Sequence, residues 1–129
     1  MQLLGIDYGR KKIGLAIATS KLAEPYSVVR FKSEKDAVGK IAEILKAEGI
    51  EKIVLGISEG KMAEETKEFG EKLKGALGME IVYFDETLTT QSAQTLSREA
   101  GIGRKKRRKL EDAYSAALIL QNYIENLTR

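Results

Sequence analysis

Four aspartates stand in this chain against fifteen glutamates, and three of the four fall where a carboxylate could do chemistry. Asp7 ends the apolar run Leu3-Leu4-Gly5-Ile6, and Asp85 with its neighbour Glu86 ends the run Glu80-Ile-Val-Tyr-Phe84. Asp112 lies in a C-terminal amphipathic stretch. The fourth, Asp36, has a local structural task. The chain has no histidine and no cysteine. No imidazole or thiolate can therefore act as base, nucleophile or ligand, and a metal site must be built from oxygen. Oxygen donors favour Mg2+, Mn2+ or Ca2+ over zinc. Two or three converging carboxylates suit a pair of ions about 3.5–4 Å apart, the arrangement that activates water and stabilises the leaving oxygen in phosphodiester cleavage. Cations stand close by in sequence. Arg10, Lys11 and Lys12 follow Asp7, and Arg104, Lys105, Lys106, Arg107, Arg108 and Lys109 precede Asp112. Both groups could hold a phosphate backbone, because phosphate contacts position a nucleic acid without reading its sequence. The plain alternatives are a turn aspartate for Asp7 and solvated, loop-forming charge for the two runs.

The elements that must position these groups read as follows. Leu3 to Ile6 predicts a buried strand. Tyr8, Gly9, Arg10, Lys11 and Lys12 make a tight turn. Ile13, Leu15 and Ile17, alternating with Gly14, Ala16 and Ala18, predict the returning strand of a hairpin, its small residues leaving one face flat for close packing. Lys21 to Pro25 reads as a polar connection, and Tyr26 to Phe31 as a third strand. Ser33 and Asp36 form a capping box for a helix that Gly49 stops. Ile53 to Ile57 predicts a fourth strand, Met62 to Leu77 a helix ended by Gly78, and Glu80 to Phe84 a fifth strand. Thr87 to Thr90 can cap a short helix through Arg98, and Ala100 to Gly103 reads as a loop before the basic run and the last helix. The expected fold is α/β: a mixed five-stranded sheet, an antiparallel three-strand meander plus two parallel strands, flanked by helices. Asp7 and Asp85/Glu86 share one edge of the sheet if their strands are parallel.

In the last helix Asp112 falls inside the edge of the broad apolar arc, whereas Glu111 falls outside it. A buried carboxylate is costly unless paired or metal-bound. The alternative places Asp112 near the helix start, where it favours the dipole in water.

The chain has 129 residues, the length of one domain over residues 1–129. No run approaches the roughly 20 apolar residues of a membrane span, so the expectation is a soluble, cytoplasmic protein without a membrane partner. The net charge is +3; removing the six cations of residues 104–109 from the 22 basic residues leaves 16 against 19 acidic ones. The basic character is thus local, which suits a polyanionic partner better than a membrane surface.

Three blocks resemble one family over nearly the whole chain. These are LLGIDYGRKKIGLAIA followed by AEPYSVV, FDETLTTQSA, and EDAYSAALILQNYIENL. The chain resembles the YqgF/RuvX family of RNase H-like nucleases. The resemblance implies an RNase H-like fold, with metal-binding catalytic acids at Asp7, Glu86 and Asp112 and with Asp85 as the substitute in the same block. It implies Mg2+ or Mn2+ as cofactor, and Thr89 and Thr90, with Gly9 in the first turn, as loop-ordering residues. Family members are proposed to mature the 5′ end of pre-16S ribosomal RNA, and others are described as Holliday-junction resolvases. The sequence departs at Gly56-Ile57-Ser58-Glu59-Gly60, where the family has a Gly-Leu-Pro turn and a longer loop.

The leading expectation is a metal-dependent nuclease on structured RNA, most of all ribosomal precursor. The second is a resolvase on branched DNA, which must work as a two-fold dimer to cut two strands symmetrically. A monomer or a homodimer is compatible with the sequence. A third reading is a non-catalytic nucleic-acid-binding module. An actin-like ATPase fragment, which also uses an acid-glycine hairpin at phosphates, needs two lobes where this chain supplies one.

Overall fold

The computed structural model describes residues 2–58, 60–85 and 104–127, with side chains from Glu111 onward in the last segment. Five strands, β1 (Leu3–Asp7), β2 (Lys12–Ala18), β3 (Ala23–Arg30), β4 (Lys52–Ile57) and β5 (Ile81–Asp85), form one sheet in the order β3-β2-β1-β4-β5. The β1–β2 and β2–β3 pairs are antiparallel, and β1–β4 and β4–β5 are parallel. This is the mixed sheet expected from a meander followed by crossovers. Helices α1 (Glu34–Glu48) and α2 (Lys61–Leu77) cover one face, and α3 (Arg104–Leu127) covers the other.

Strand alternation divides the core in two. Leu4 and Ile6 of β1 join Ile53 and Leu55 of β4 beneath Ile41 and Leu45 of α1 and Phe69 and Leu73 of α2. Leu3, Val54 and Phe84 point to the opposite face and pack with Ala116, Ala117, Leu120 and Tyr123 of α3. Local signals set the ends of α1. The Ser33 hydroxyl accepts from the Asp36 amide at 3.1 Å, and Gly49 ends the helix in the left-handed region at φ 61°. The Asp36 carboxylate accepts from the Lys32 amide at 3.0 Å, one residue before the cap. That backbone hydrogen bond, with Lys40 alongside, lowers the Asp36 pKa.

Two boundaries differ from the sequence-based expectation. β3 begins at Ala23 rather than Tyr26, and it takes in Pro25. The proline is tolerated because β3 is an edge strand, and Pro25 pairs with Ala16 where the register shifts between Leu15 and Ala16. The basic run of residues 104–109 is helical and forms the start of α3 rather than a segment preceding the helix. Arginine and lysine are good helix formers, so a charge run need not break a helix. The helix expected after Thr87 and the loop at 100–103 lie outside the described residues.

Candidate active site

The site is assembled by a helix lying on a flat patch of sheet. A Cβ built on Gly14 would stand 1.8 Å from the backbone oxygen of Asp112, and one on Gly5 would stand 2.8 Å from Leu120 Cβ and 3.0 Å from the Ala116 oxygen. Only glycine at these positions lets the α3 backbone rest directly on β1 and β2. The small-residue face expected from Gly14, Ala16 and Ala18 is therefore the seat of α3. Residue 112 lies over β2 level with Asp7, and residues 116 and 120 lie over Gly5. At the far end the Gln121 amide bonds Ala23 N and Lys21 O, at 2.8 and 2.9 Å. So α3 runs antiparallel to β1, from the Asp7 edge to the opposite edge. Its first two turns, which carry residues 104–109, reach about 12 Å beyond Asp112 on the Asp7 side.

Asp7 pairs with Gly14 across the β1–β2 ladder and shares its face, about 5 Å away between Cα atoms. The residue under Asp112 is thus the cross-strand partner of Asp7, and both residues lie at one edge on the α3 face. Asp112 stands in the third turn of α3, not near its start, because the helix begins at Arg104. The dipole alternative for Asp112 falls with that. Its carboxylate is half-buried and accepts from Lys12 Nζ at 3.0 Å.

The three cations after Asp7 go separate ways. Lys12 reaches Asp112. Arg10 turns to α2 and bonds Glu65 at 3.1 Å. Lys11 is exposed, and its backbone oxygen accepts from Phe31 N at 3.3 Å. Tyr8 points to the α1/α2 face and stacks on Phe69 and Phe31, with ring centroids 4.5 and 6.4 Å away. Burial raises the Tyr8 pKa, and Glu34 and Glu65 add to the effect. This aromatic anchor fixes the turn that carries Asp7. Gly9 closes the turn, since a Cβ there would stand 2.6 Å from the Lys12 oxygen.

Asp85 sits at the end of β5, but pairing with Ile57 puts it on the face of Ile81 and Tyr83, opposite Asp7. By strand register Asp85 and Asp7 therefore belong to opposite faces of the sheet. Glu86, Thr89 and Thr90 lie outside the described residues, as do the side chains of Arg104, Lys105, Lys106, Arg107, Arg108 and Lys109. Among the described residues no group of three acidic, histidine or cysteine side chains is placed to hold a metal. Two acids of the expected three, Asp7 and Asp112, are brought to one edge. Their donor set, carboxylate oxygen alone, fits a hard divalent ion.

One further cation was not read from the sequence. Arg30 pairs with Lys12 across β2–β3, so it shares the Lys12 face, and it is exposed. Its only sequence signal was a basic residue late in a predicted strand. The cross-strand partner depends on the bulge at Leu15/Ala16, which sequence patterning does not show.

Comparison with known proteins gives a consistent answer. The family model described as RuvX, Holliday junction resolvase, matches residues 1–126. A protein of Syntrophus aciditrophicus provisionally named pre-16S rRNA nuclease is 36% identical, covering 100% of this chain and 91% of the relative. One of Endomicrobium trichonymphae with the same name is 41% identical, covering 96% of this chain and 95% of the relative. Among solved structures, Fowlpox virus resolvase with Holliday junction DNA aligns over 100% of both chains at TM-score 0.66 and 18% identity. Thermus thermophilus RuvC with a Holliday junction substrate aligns over 99% of this chain and 97% of that one, at TM-score 0.63 and 19% identity. Those likenesses establish the RNase H-like fold, and the near full-length match to the family model and to these relatives establishes more: the chain belongs to the RuvX family.

Proposed function

We propose that this protein is a divalent-metal-dependent nuclease that hydrolyses phosphodiester bonds in structured RNA, with the precursor of 16S ribosomal RNA as its substrate. The observation that carries the reading is the seating of α3 on Gly14, which brings Asp112 to the edge where Asp7 ends β1. The names carried by relatives more than a third identical over nearly the whole chain supply the substrate class. Asp7 and Asp112 would hold the ion, with Glu86 as third ligand. When bound, a divalent ion there, Mg2+ or Mn2+, supplies a polarised water and charge stabilisation at the leaving oxygen. The chain's own contribution is placement. Lys12 and Arg30 set positive charge on the same face, and the overhanging start of α3 carries six more cations past the edge where the backbone must lie.

A second reading, cleavage of four-way DNA junctions, is favoured by the description of the family model and by neighbours solved with such junctions. It requires a two-fold dimer.

The test incubates purified protein, with and without Mg2+, on labelled ribosomal-precursor RNA and on a four-way DNA junction. Metal-dependent RNA cuts support the first reading, and paired symmetric DNA cuts support the second. Asp7→Asn should lower cleavage at least a hundredfold and leave nucleic-acid affinity within about twofold. Retained cleavage in that variant removes Asp7 from the metal site. Binding without cleavage under all conditions makes the protein a non-catalytic module.

A further inference from the structure

The Lys12–Asp112 ion pair engages a proposed metal ligand. It joins residues one hundred positions apart, from β2 to α3, with Nζ 3.0 Å from Oδ2. Neither side chain is deeply buried: Lys12 is 45% exposed and Asp112 30%. A pair at this depth is weak and exchangeable, unlike a desolvated one. The backbone beneath it is not. Gly14 leaves no room between β2 and the Asp112 carbonyl, so the carboxylate cannot move away with a shift of the helix. Lys12 and Gly14 share a face two residues apart, and Lys12 sits at the start of its strand with its side chain partly in solvent.

From this geometry we infer that Lys12 is the resident counter-cation of Asp112. Its ammonium holds the carboxylate in place while the site is metal-free, and it gives up the oxygen when a divalent ion binds. The inference rests on the reading of Asp112 as a metal ligand. It gives Lys12 a role distinct from simple phosphate contact. The pair neutralises and orders the Asp112 carboxylate without metal, and exchange turns the released ammonium toward the entering phosphate, beside Arg30. Lysine suits the task better than arginine would in a bidentate clamp, since it is a compact point charge on a flexible stem.

The exchange has a cost that binding measurements read directly. Metal affinity is lowered by whatever the ammonium contributes at Asp112. Removing the charge while keeping the apolar stem therefore strengthens metal binding. Mn2+ binding to the full metal-free chain, followed by the electron paramagnetic resonance of free Mn2+, needs no substrate and no turnover. Lys12→Met should tighten Mn2+ binding by about threefold or more, the scale of a partly exposed ion pair. Lys12→Arg, which keeps the charge, should stay within about twofold of the parent. Circular dichroism checks that each variant is folded. Unchanged or weaker binding in Lys12→Met overturns the inference, because the lysine then either coexists with the ion or supports its site. Asp112→Asn separates the two levels. Loss of Mn2+ binding there, with Lys12→Met unchanged, refutes the counter-cation role alone. Binding in Asp112→Asn equal to the parent refutes the metal-ligand reading beneath it.

Discussion

At the scale of single residues, the site depends on what is missing as much as on what is present. Gly14 has no side chain because the Asp112 carbonyl fills that space. Gly14→Ala must push α3 off the sheet or distort β2. Overpacking of a tight core costs about 1–3 kcal/mol and occasionally more, and a clash with backbone belongs at the upper end. Urea unfolding should show a loss of about 3 kcal/mol, and cleavage should fall further than the folded fraction does, because Asp112 moves with the helix. Gly39 is the control. It lies in α1 with nothing within 4 Å of a Cβ, so Gly39→Ala should stabilise by about 0.5–1 kcal/mol with activity unchanged. A wild-type stability for Gly14→Ala would show that the helix does not rest there. Asp7 and Asp112 were legible in the sequence because each breaks a local pattern, one at the end of an apolar run and one inside an apolar arc. The Lys12–Asp112 contact was not, because it depends on where a helix a hundred residues later comes to lie. Arg30 was hidden for a similar reason: its neighbour is chosen by strand register.

At the scale of elements, the ends that local chemistry sets were readable and the ends that tertiary context sets were not. Ser33 and Gly49 bound α1 as their side chain and lack of one require. Pro25 argued for a connection, but an edge strand with a register shift accommodates it. Residues 104–109 carry no apolar period, so the sequence does not place the start of α3 at Arg104. The capping carboxylate of α1 gives a pH-dependent prediction. The Lys32 amide, more than Lys40, holds the folded-state pKa of Asp36 below its ordinary 3.8. A lowered folded pKa means that the contribution to stability is fully present above about pH 3.8 and is lost as the pH falls through the folded value. Asp36→Asn should thus be less stable than the parent at neutral pH, and the gap in urea midpoint should close as the pH drops below 3.8. A gap independent of pH would assign the effect to the neutral hydrogen bond rather than to the charge.

At the scale of the whole molecule, the decisive feature is the direction of α3. Seated by Gly5 and Gly14 and tied down at Gln121, it enters from beyond the edge where Asp7 ends β1, so its first two turns precede Asp112 on that side of the sheet. The positive charge of the chain is concentrated there; without residues 104–109 acidic residues outnumber basic ones, 19 to 16. Nucleic-acid affinity should therefore depend on this overhang far more than on the rest of the surface. Lys105 and Lys109 lie seven and three residues before Asp112 in α3. If each neutralises one phosphate, replacing both with glutamine reduces the slope of log affinity against log salt by about 1.8 on duplex substrate, at roughly 0.9 per contact. Affinity for RNA of any sequence should weaken alike, since phosphate contacts carry no base information. Mn2+ affinity measured without nucleic acid should not change, which distinguishes a lost grip from a damaged site. The same double replacement at Lys35 and Lys46, on α1 across the sheet from α3, should leave the slope within experimental scatter. A slope that falls equally for both pairs would mean that the protein binds through its general charge and that the overhang has no special part. A slope that falls only for the α3 pair fixes the path of the substrate along the helix toward Asp112 and Asp7.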